Sequence, residues 1–197
     1  MLNAQSNKPK FDLHNLWWLL LAGISIVLDQ FTKYLAVKHI AHHDSFCEAG
    51  SRLICAFSES IPVLPVLNWT LAYNHGAAFS FLSDAGGWQR YFFTGLAGLV
   101  SIAFTVWLLR MPRQQIVLPL AIALVLGGAV GNLIDRVTLG YVVDFVHVFY
   151  QNHHFPVFNL ADSSITLGTI LLIIDTFFLE KYRIQKAAAQ ATTTHPE

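Results

Sequence analysis

The chain has 197 residues, of which 54% are hydrophobic and 12% are charged, and its formal net charge at pH 7 is zero. Soluble domains carry about 25% charged residues, so this composition indicates an integral membrane protein. The balanced charge offers neither a basic surface for nucleic acid nor an acidic tail. The length suits one bundle of a few helices with a modest part outside the membrane.

Four apolar segments are close to the roughly 20 residues that a helix needs to cross a bilayer: residues 13–35, 91–109, 116–134 and 162–179. The first is the weakest, because its uninterrupted apolar stretch covers only residues 16–28. A cleaved signal peptide is the alternative for this stretch, but no small-residue cleavage site follows it directly. The sequence therefore predicts four transmembrane helices, the first of them uncleaved.

The loop between the first two helices, about residues 36–90, is predicted to carry a small β-sheet on the outer membrane surface. Residues 66–73 are rich in β-branched and aromatic side chains, an Asn-His-Gly turn signal follows, and residues 77–81 resume the pattern. Both cysteines, Cys47 and Cys55, also lie in this loop. An oxidising compartment would allow a disulfide, two free thiols are the alternative, and the spacing does not favour a redox pair.

A further amphipathic segment, YVVDFVHVF at residues 141–149, is predicted to form a short interfacial helix. The predicted fold class is thus a mainly α membrane protein with four transmembrane helices, a small extracytoplasmic β-sheet and a short interfacial helix. Residues 13–183 form its single domain, between cytoplasmic tails at residues 1–12 and 184–197.

The distribution of basic residues predicts the orientation. The N-terminal tail, the short loop between the second and third helices and the C-terminal tail hold seven of the twelve Lys and Arg residues. Because short cytoplasmic segments are enriched in Lys and Arg, both termini are predicted to be cytoplasmic and the two longer loops to lie outside.

Three acids, Asp29, Asp135 and Asp162, fall near helix ends that this topology places at the outer surface. Charges at membrane depth cost about 2.5–3.5 kcal/mol at the bilayer centre and less near its edge, so three at one level need a reason. Asp29 could simply pair with Lys33 four residues on, and Asp162 could cap a helix N-terminus. Asp135 is harder to explain in this way, because an acid near a helix C-terminus opposes the dipole.

The pattern favours Asp135 and Asp162 as a catalytic pair. Two carboxylates a few ångström apart cannot easily both ionise, so one could activate a water molecule while the other donates a proton. Asn132 and Asn159 lie three residues before these acids and could orient them. Asp175, by contrast, is predicted to be an ordinary interfacial residue at the cytoplasmic end. The histidines lack further ligands at a fixed spacing, so no metal site is predicted.

Five motifs in order give the chain a specific resemblance to bacterial lipoprotein signal peptidase, also called signal peptidase II, over about residues 13–183. The motifs are LDQFTK (28–33), NHGAAFSF (74–81), GGAVGNLIDR (127–136), GYVVDF (140–145) and FNLADSSI (158–165). The resemblance implies an intramembrane aspartyl peptidase of the bacterial inner membrane. Such an enzyme cleaves diacylglyceryl-modified prolipoproteins on the N-terminal side of the lipidated cysteine.

The resemblance also implies residue roles, with the two catalytic aspartates mapped onto Asp135 and Asp162. Site-shaping or substrate-contacting roles map onto Asp29, Lys33, Asn74, Asn132, Arg136, Asp144 and Asn159. It implies a monomer that meets membrane lipid, needs no metal or other cofactor, and is inhibited by the cyclic peptide antibiotic globomycin. The chain departs from the family at His75, where a threonine is expected, and in the long loop of residues 42–58.

Three other functions fit part of the pattern. A transporter or channel also has intramembrane acids, but it is expected to place them near mid-membrane on broken helices. A quinone-linked thiol oxidase would need more cysteines than this chain has. A phospholipid-modifying enzyme with an acid cluster would normally require a divalent metal.

Overall fold

A computed structural model describes residues 15–40, 60–76, 88–112 and 115–185, and four long apolar helices lie within these ranges. They are α1 (Leu16–Ile40), α2 (Trp88–Leu109), α3 (Val117–Thr138) and α4 (Leu160–Ile174). α4 continues through a π-helical turn at Asp175–Leu179 into a last helical stretch. All four are long and apolar enough to cross a membrane, which confirms the predicted number of spans.

α3 lies at the centre of the bundle, because α1, α2 and α4 all pack against it. Among the described residues, α2 and α4 have at most slight contact with each other. The approach of α3 to α4 depends on glycine: a Cβ atom on Gly128 would lie 2.4 Å from the carbonyl oxygen of Ala161. Small residues of this kind allow helices in a membrane to pack closely.

An antiparallel sheet lies at one end of the bundle, with four strands in the order β1-β2-β3-β4 among the described residues. The strands are β1 (Ile61–Leu64), β2 (Leu67–Asn74), β3 (Val142–Tyr150) and β4 (His153–His154). β2 confirms the strand predicted at residues 66–73. The predicted strand at residues 77–81 and both cysteines lie outside the described residues.

The interfacial helix predicted at residues 141–149 is wrong, because this segment forms β3. Asp144 and His147 are three residues apart, which suits a helix, but the five valines and phenylalanines between positions 142 and 148 favour a strand. β2 provides hydrogen-bonding partners along one edge, with Ala72 opposite Asp144. Long-range pairing with β2 therefore prevails over the local helical pattern.

The predicted end of the first helix near Asp29 is also wrong, since α1 continues to Ile40. The added length packs beneath the sheet, where Ala36 and Ile40 join Leu71 and Val143 in a buried apolar cluster. This packing explains why the helix extends past its most apolar stretch. Asp29 consequently lies inside α1 rather than at its end.

Asp175, which the sequence predicted to be an ordinary interfacial residue at the cytoplasmic end, is buried and paired in the structure. Only 2% of the residue is accessible, and its two carboxylate oxygens accept hydrogen bonds of 2.8 and 2.7 Å from the Arg183 guanidinium. The π-helical turn separates the two residues along α4. A buried carboxylate needs such a partner, and Arg183 supplies a bidentate one.

Candidate active site

The nine residues that the sequence predicted as catalytic or site-shaping form one continuous polar centre beneath the sheet. Hydrogen bonds and ion pairs connect all nine of them across α1, β2, α3, β3 and α4. Six of them are at most 5% accessible: Asp29, Lys33, Asn132, Asp135, Asp144 and Asn159. The other three are more accessible: Asn74, Arg136 and Asp162.

Lys33 organises the part of this centre that faces α1. Its ammonium nitrogen lies 2.8 Å from Asp29 Oδ2, 2.9 Å from Asp135 Oδ2 and 2.9 Å from Asn132 Oδ1. An ammonium group has three hydrogen-bond donors, so all three are used. The Asp29–Lys33 pair expected from the sequence is present, but it is buried and extends to α3.

Asp135 has both carboxylate oxygens engaged by protein donors. Oδ1 accepts a 2.8 Å hydrogen bond from Gln30 Nε2, and Oδ2 accepts one of 3.1 Å from the Val143 backbone N–H in addition to the Lys33 contact. These bonds join α1, α3 and β3. Sequence reasoning missed Gln30, although its place inside the LDQFTK motif between Asp29 and Lys33 was a signal.

The start of α4 brings two more site residues into position. Asn159 is the N-cap: its side-chain oxygen accepts from the Asp162 backbone N–H at 2.8 Å, and Asp162 Oδ2 accepts from the Asn159 backbone N–H at 3.3 Å. This reciprocal arrangement is a capping box, which satisfies backbone donors that a helix start leaves open. Asp29 Oδ1 accepts from the next free donor, Ala161 N–H, at 2.9 Å.

Side-chain amides link the two remaining carboxylates, Asp144 and Asp162. Asn159 Nδ2 lies 2.7 Å from Asp144 Oδ1, and Asn132 Nδ2 donates to Asp162 Oδ1 at 2.8 Å. Asn74, at the end of β2, donates to Asp144 Oδ2 at 3.2 Å. Neither carboxylate has a described ion pair, so these two differ from Asp29 and Asp135.

Burial and the charge of Asp162 together raise the pKa of Asp144 to about 7, burial being the larger cause. Hydrogen bonds from Asn74 and Asn159 and the charge of Lys33 oppose this rise in the pKa. Asp144 therefore holds a proton for much of the time near neutral pH, beside a second carboxylate that is more open to water.

Arg136 and His75 directly follow two site residues, Asp135 and Asn74, in the chain. The Arg136 guanidinium donates to the carbonyl oxygen of Gly76 at 3.3 Å and stacks 5.8 Å from the centre of the Phe93 ring. The His75 ring packs edge-on against Tyr141, with 5.4 Å between ring centres. The position at which the chain departs from the resembled family thus lies next to a site residue, Asn74.

The fold and the site define a helical membrane protein with a buried polar centre of carboxylates, amides and one lysine. The chain belongs to the signal peptidase (SPase) II family, whose model matches residues 21–178. It is therefore a member of a protease family, as the motifs indicated.

Relatives and solved structures agree with this membership. The lipoprotein signal peptidase of Acinetobacter baumannii is 63% identical over 191 residues, which cover 96% of this chain and 100% of the relative. The Acinetobacter baylyi protein of the same name is 61% identical, over 94% of this chain and 96% of its own. Two solved structures of a bacterial membrane enzyme, obtained by the in meso method, are 33% identical and cover 86% of this chain and 93% and 97% of their own, with TM-scores of 0.66 and 0.64.

Proposed function

We propose that this protein removes signal peptides from diacylglyceryl-modified prolipoproteins, cleaving on the N-terminal side of the lipidated cysteine by aspartyl chemistry. The family and the relatives named lipoprotein signal peptidase support the substrate class. The observation that carries the chemistry is the amide-linked pair of Asp144 and Asp162, one buried and one more accessible.

This proposal pairs Asp144 with Asp162, in place of the Asp135–Asp162 pair that the sequence suggested. Asp135 binds the Lys33 ammonium and two further donors, which suits a carboxylate that holds elements together. Asp144 accepts described hydrogen bonds only from neutral amides and is coupled to Asp162 through its charge. A proton can therefore be exchanged at Asp144 without separating an ion pair, and we assign Asp135 a positioning role.

The reaction then follows the logic of two carboxylates that share one proton. Asp162 accepts a proton from water while the water oxygen attacks the carbonyl carbon before the cysteine, and Asp144 donates its proton to the carbonyl oxygen. In the second step the tetrahedral intermediate collapses. The C–N bond breaks, Asp162 passes its proton to the leaving nitrogen, and Asp144 regains a proton from the hydroxyl group.

The surrounding residues position this pair. Asn132 and Asn159 orient the carboxylates, the Lys33 contacts tie α1 to α3, and Arg136 and Asn74 border the space that a substrate backbone would occupy. We place the protein in the bacterial inner membrane as a monomer, with both termini cytoplasmic and the site near the outer face. Lipid would contact the exposed apolar faces of the helices, and a globomycin-type peptide would occupy the site.

The test is cleavage by the purified protein in detergent. We expect release of the signal peptide from a diacylglyceryl-modified prolipoprotein, in excess chelator as in its absence, and no release from the unlipidated form. Asp162→Asn is the inactive control, and globomycin should inhibit the wild type. Equal cleavage of the unlipidated form, or full activity of Asp162→Asn, would contradict the proposal.

A further inference from the structure

The first turns of α2 contact the polar centre, although α2 supplies none of its nine residues. Arg90 Nε–H donates a 3.2 Å hydrogen bond to the backbone carbonyl oxygen of Arg136, in the last turn of α3. Phe93 follows Arg90 by three residues, and its ring centre lies 5.8 Å from the guanidinium carbon of Arg136. Residues three apart on a helix are neighbours on one face. One face of α2 therefore contacts Arg136 twice, at its backbone and at its guanidinium.

Gly140 makes room for the Arg90 guanidinium at the turn that follows α3. A Cβ atom on Gly140 would lie 2.8 Å from Arg90 Nη1 and 2.9 Å from Arg90 Cζ, so the guanidinium lies where a side chain would begin. Gly140 also has a φ of 90°, and its backbone N–H donates to the Asp135 carbonyl oxygen at 3.2 Å, as is common for glycine at a helix end. Arg90 thus packs on the turn that leads from Asp135 to Asp144.

The hydrogen bond from Arg90 satisfies a carbonyl group at the end of α3. An α-helix leaves its last four carbonyl oxygens without partners inside the helix, and in α3 these belong to residues 135–138. The Asp135 oxygen accepts from the backbone N–H groups of Leu139 and Gly140, whereas the Arg136 oxygen accepts from Arg90. A positive charge at a helix C-terminus also complements the helix dipole. Arg90 therefore anchors the backbone of Arg136 from a neighbouring helix.

The Arg136 guanidinium is the functional group that these two contacts hold in place. It donates to the Gly76 carbonyl oxygen at 3.3 Å, which is longer than usual for an N–H···O hydrogen bond. Its charge interacts with the charges of Asp162 and Asp144, the carboxylates of the proposed pair. An arginine side chain has many rotamers, so one long hydrogen bond restrains it weakly. The contacts from α2 supply the remaining restraint.

We propose that Arg90 and Phe93 are positioning residues, which hold the Arg136 guanidinium in its place in the polar centre. The inference rests on the proposed function. Arg90 fixes the Arg136 backbone and the turn at Gly140, and Phe93 provides the ring face on which the guanidinium lies. Neither residue takes part in the reaction, and both act through Arg136.

The first experiment measures kcat/KM for the lipidated prolipoprotein in detergent. Arg90→Gln lowers kcat/KM about 10- to 100-fold, the scale of a small misplacement of an active-site group. Arg90→Lys stays within about threefold of the wild type, because its ammonium group can donate to the same carbonyl oxygen. Phe93→Leu costs about two- to fivefold, the equivalent of an exposed cation–π contact. Arg110→Gln, the same change at the exposed residue that follows α2, is the matched control and leaves kcat/KM unchanged.

The second experiment repeats the substitutions in an Arg136→Gln background, with enzyme in excess so that slow cleavage is measurable. There Arg90→Gln and Phe93→Leu lower the cleavage rate less than about twofold, because the guanidinium that they hold is absent. Arg90→Gln still lowers the midpoint of thermal unfolding in this background, since the backbone carbonyl oxygen of residue 136 remains. A purely structural role for Arg90 predicts the same fold loss of activity in both backgrounds.

A third measurement does not depend on activity. The side-chain NMR signals of Arg136, in protein with isotope-labelled arginine, move toward those of a freely exposed arginine in Arg90→Gln and stay in place in Arg110→Gln. Unmoved Arg136 signals in Arg90→Gln, wild-type kcat/KM in that variant, or equal activity losses in the two backgrounds would each overturn the inference. A wild-type protein that cleaves no lipidated substrate would instead contradict the proposed function, and the NMR comparison would still test the positioning of Arg136.

Discussion

Asparagine substitutions at Asp144 and Asp135 should separate catalysis from stability. Asp144→Asn removes the proton donor and should lower kcat about 10²- to 10⁴-fold, the usual contribution of a general acid or base. Its folding cost should stay near 1 kcal/mol, because the described hydrogen bonds to the Asp144 carboxylate come only from neutral amides. Asp135→Asn should mainly destabilise the fold. It weakens the 2.9 Å contact with Lys33, and it replaces one carboxylate oxygen by an NH₂ group at a side chain that accepts from three donors.

The loss of folding free energy in Asp135→Asn depends on the ion pair that Lys33 still makes with Asp29. Removing one partner of an isolated buried ion pair costs about 3–5 kcal/mol. Lys33 keeps Asp29 at 2.8 Å, so the loss should be nearer the 1–3 kcal/mol of an unsatisfied buried hydrogen-bonding group.

The assay for both variants is kcat for the lipidated prolipoprotein, paired with the midpoint of thermal unfolding in detergent. An Asp135→Asn protein with wild-type stability and no activity would refute this assignment and restore Asp135 as a catalytic residue. An Asp144→Asn protein that keeps more than about a tenth of wild-type kcat would also refute the assignment, since loss of a general acid lowers kcat by far more than tenfold.

Three further results are expected. Cleavage, measured as kcat against pH, should decline as the pH rises through about 7. Burial and then the charge of Asp162 raise the pKa of Asp144 to about 7, and above that pH Asp144 loses the proton that it must donate. Lys33→Met should lower the free energy of unfolding by about 3–5 kcal/mol in chemical denaturation, since it leaves two buried carboxylates without their cation. Gly128→Ala should lower the midpoint of thermal unfolding and cost about 1–3 kcal/mol of folding free energy, because the added Cβ would clash with the Ala161 carbonyl oxygen. Gly95→Ala is the control: its Cβ meets nothing within 4 Å and should leave the midpoint unchanged.

The four spans could be predicted from the sequence because each is a mostly apolar segment whose length is close to what bilayer thickness requires. The helix boundaries were less accessible to prediction. α1 extends to Ile40 because its last turns pack under a sheet, and β3 belongs to that sheet. The β3 segment contains both a helical spacing of polar residues and many β-branched ones, so only the pairing with β2, about 70 residues earlier, decides its conformation.

Nine residues of the polar centre could be predicted, but Gln30 was missed, and apart from the Asp29–Lys33 pair the contacts among them could not be predicted. Asp135 and Asp144 both follow apolar residues and both belong to motifs, and their local sequence does not show which of them contacts Lys33. The difference comes from Lys33, which lies 102 residues before Asp135 and reaches it only because α1 packs on α3. Asp144 acquires its place when β3 pairs with β2 and brings Asn74 opposite Val142.

Asn159 shows why the start of α4 and the proposed chemistry depend on each other. As an N-cap it must accept a hydrogen bond from the Asp162 backbone N–H, which an aspartate could do equally well. Its nitrogen must also donate to Asp144 at 2.7 Å, which an aspartate could not do. An aspartate at this position would place a third carboxylate beside Asp144 and Asp162 without adding a donor. The amide is therefore required by the carboxylate pair, and the helix start it caps places Asp162 beside its partner.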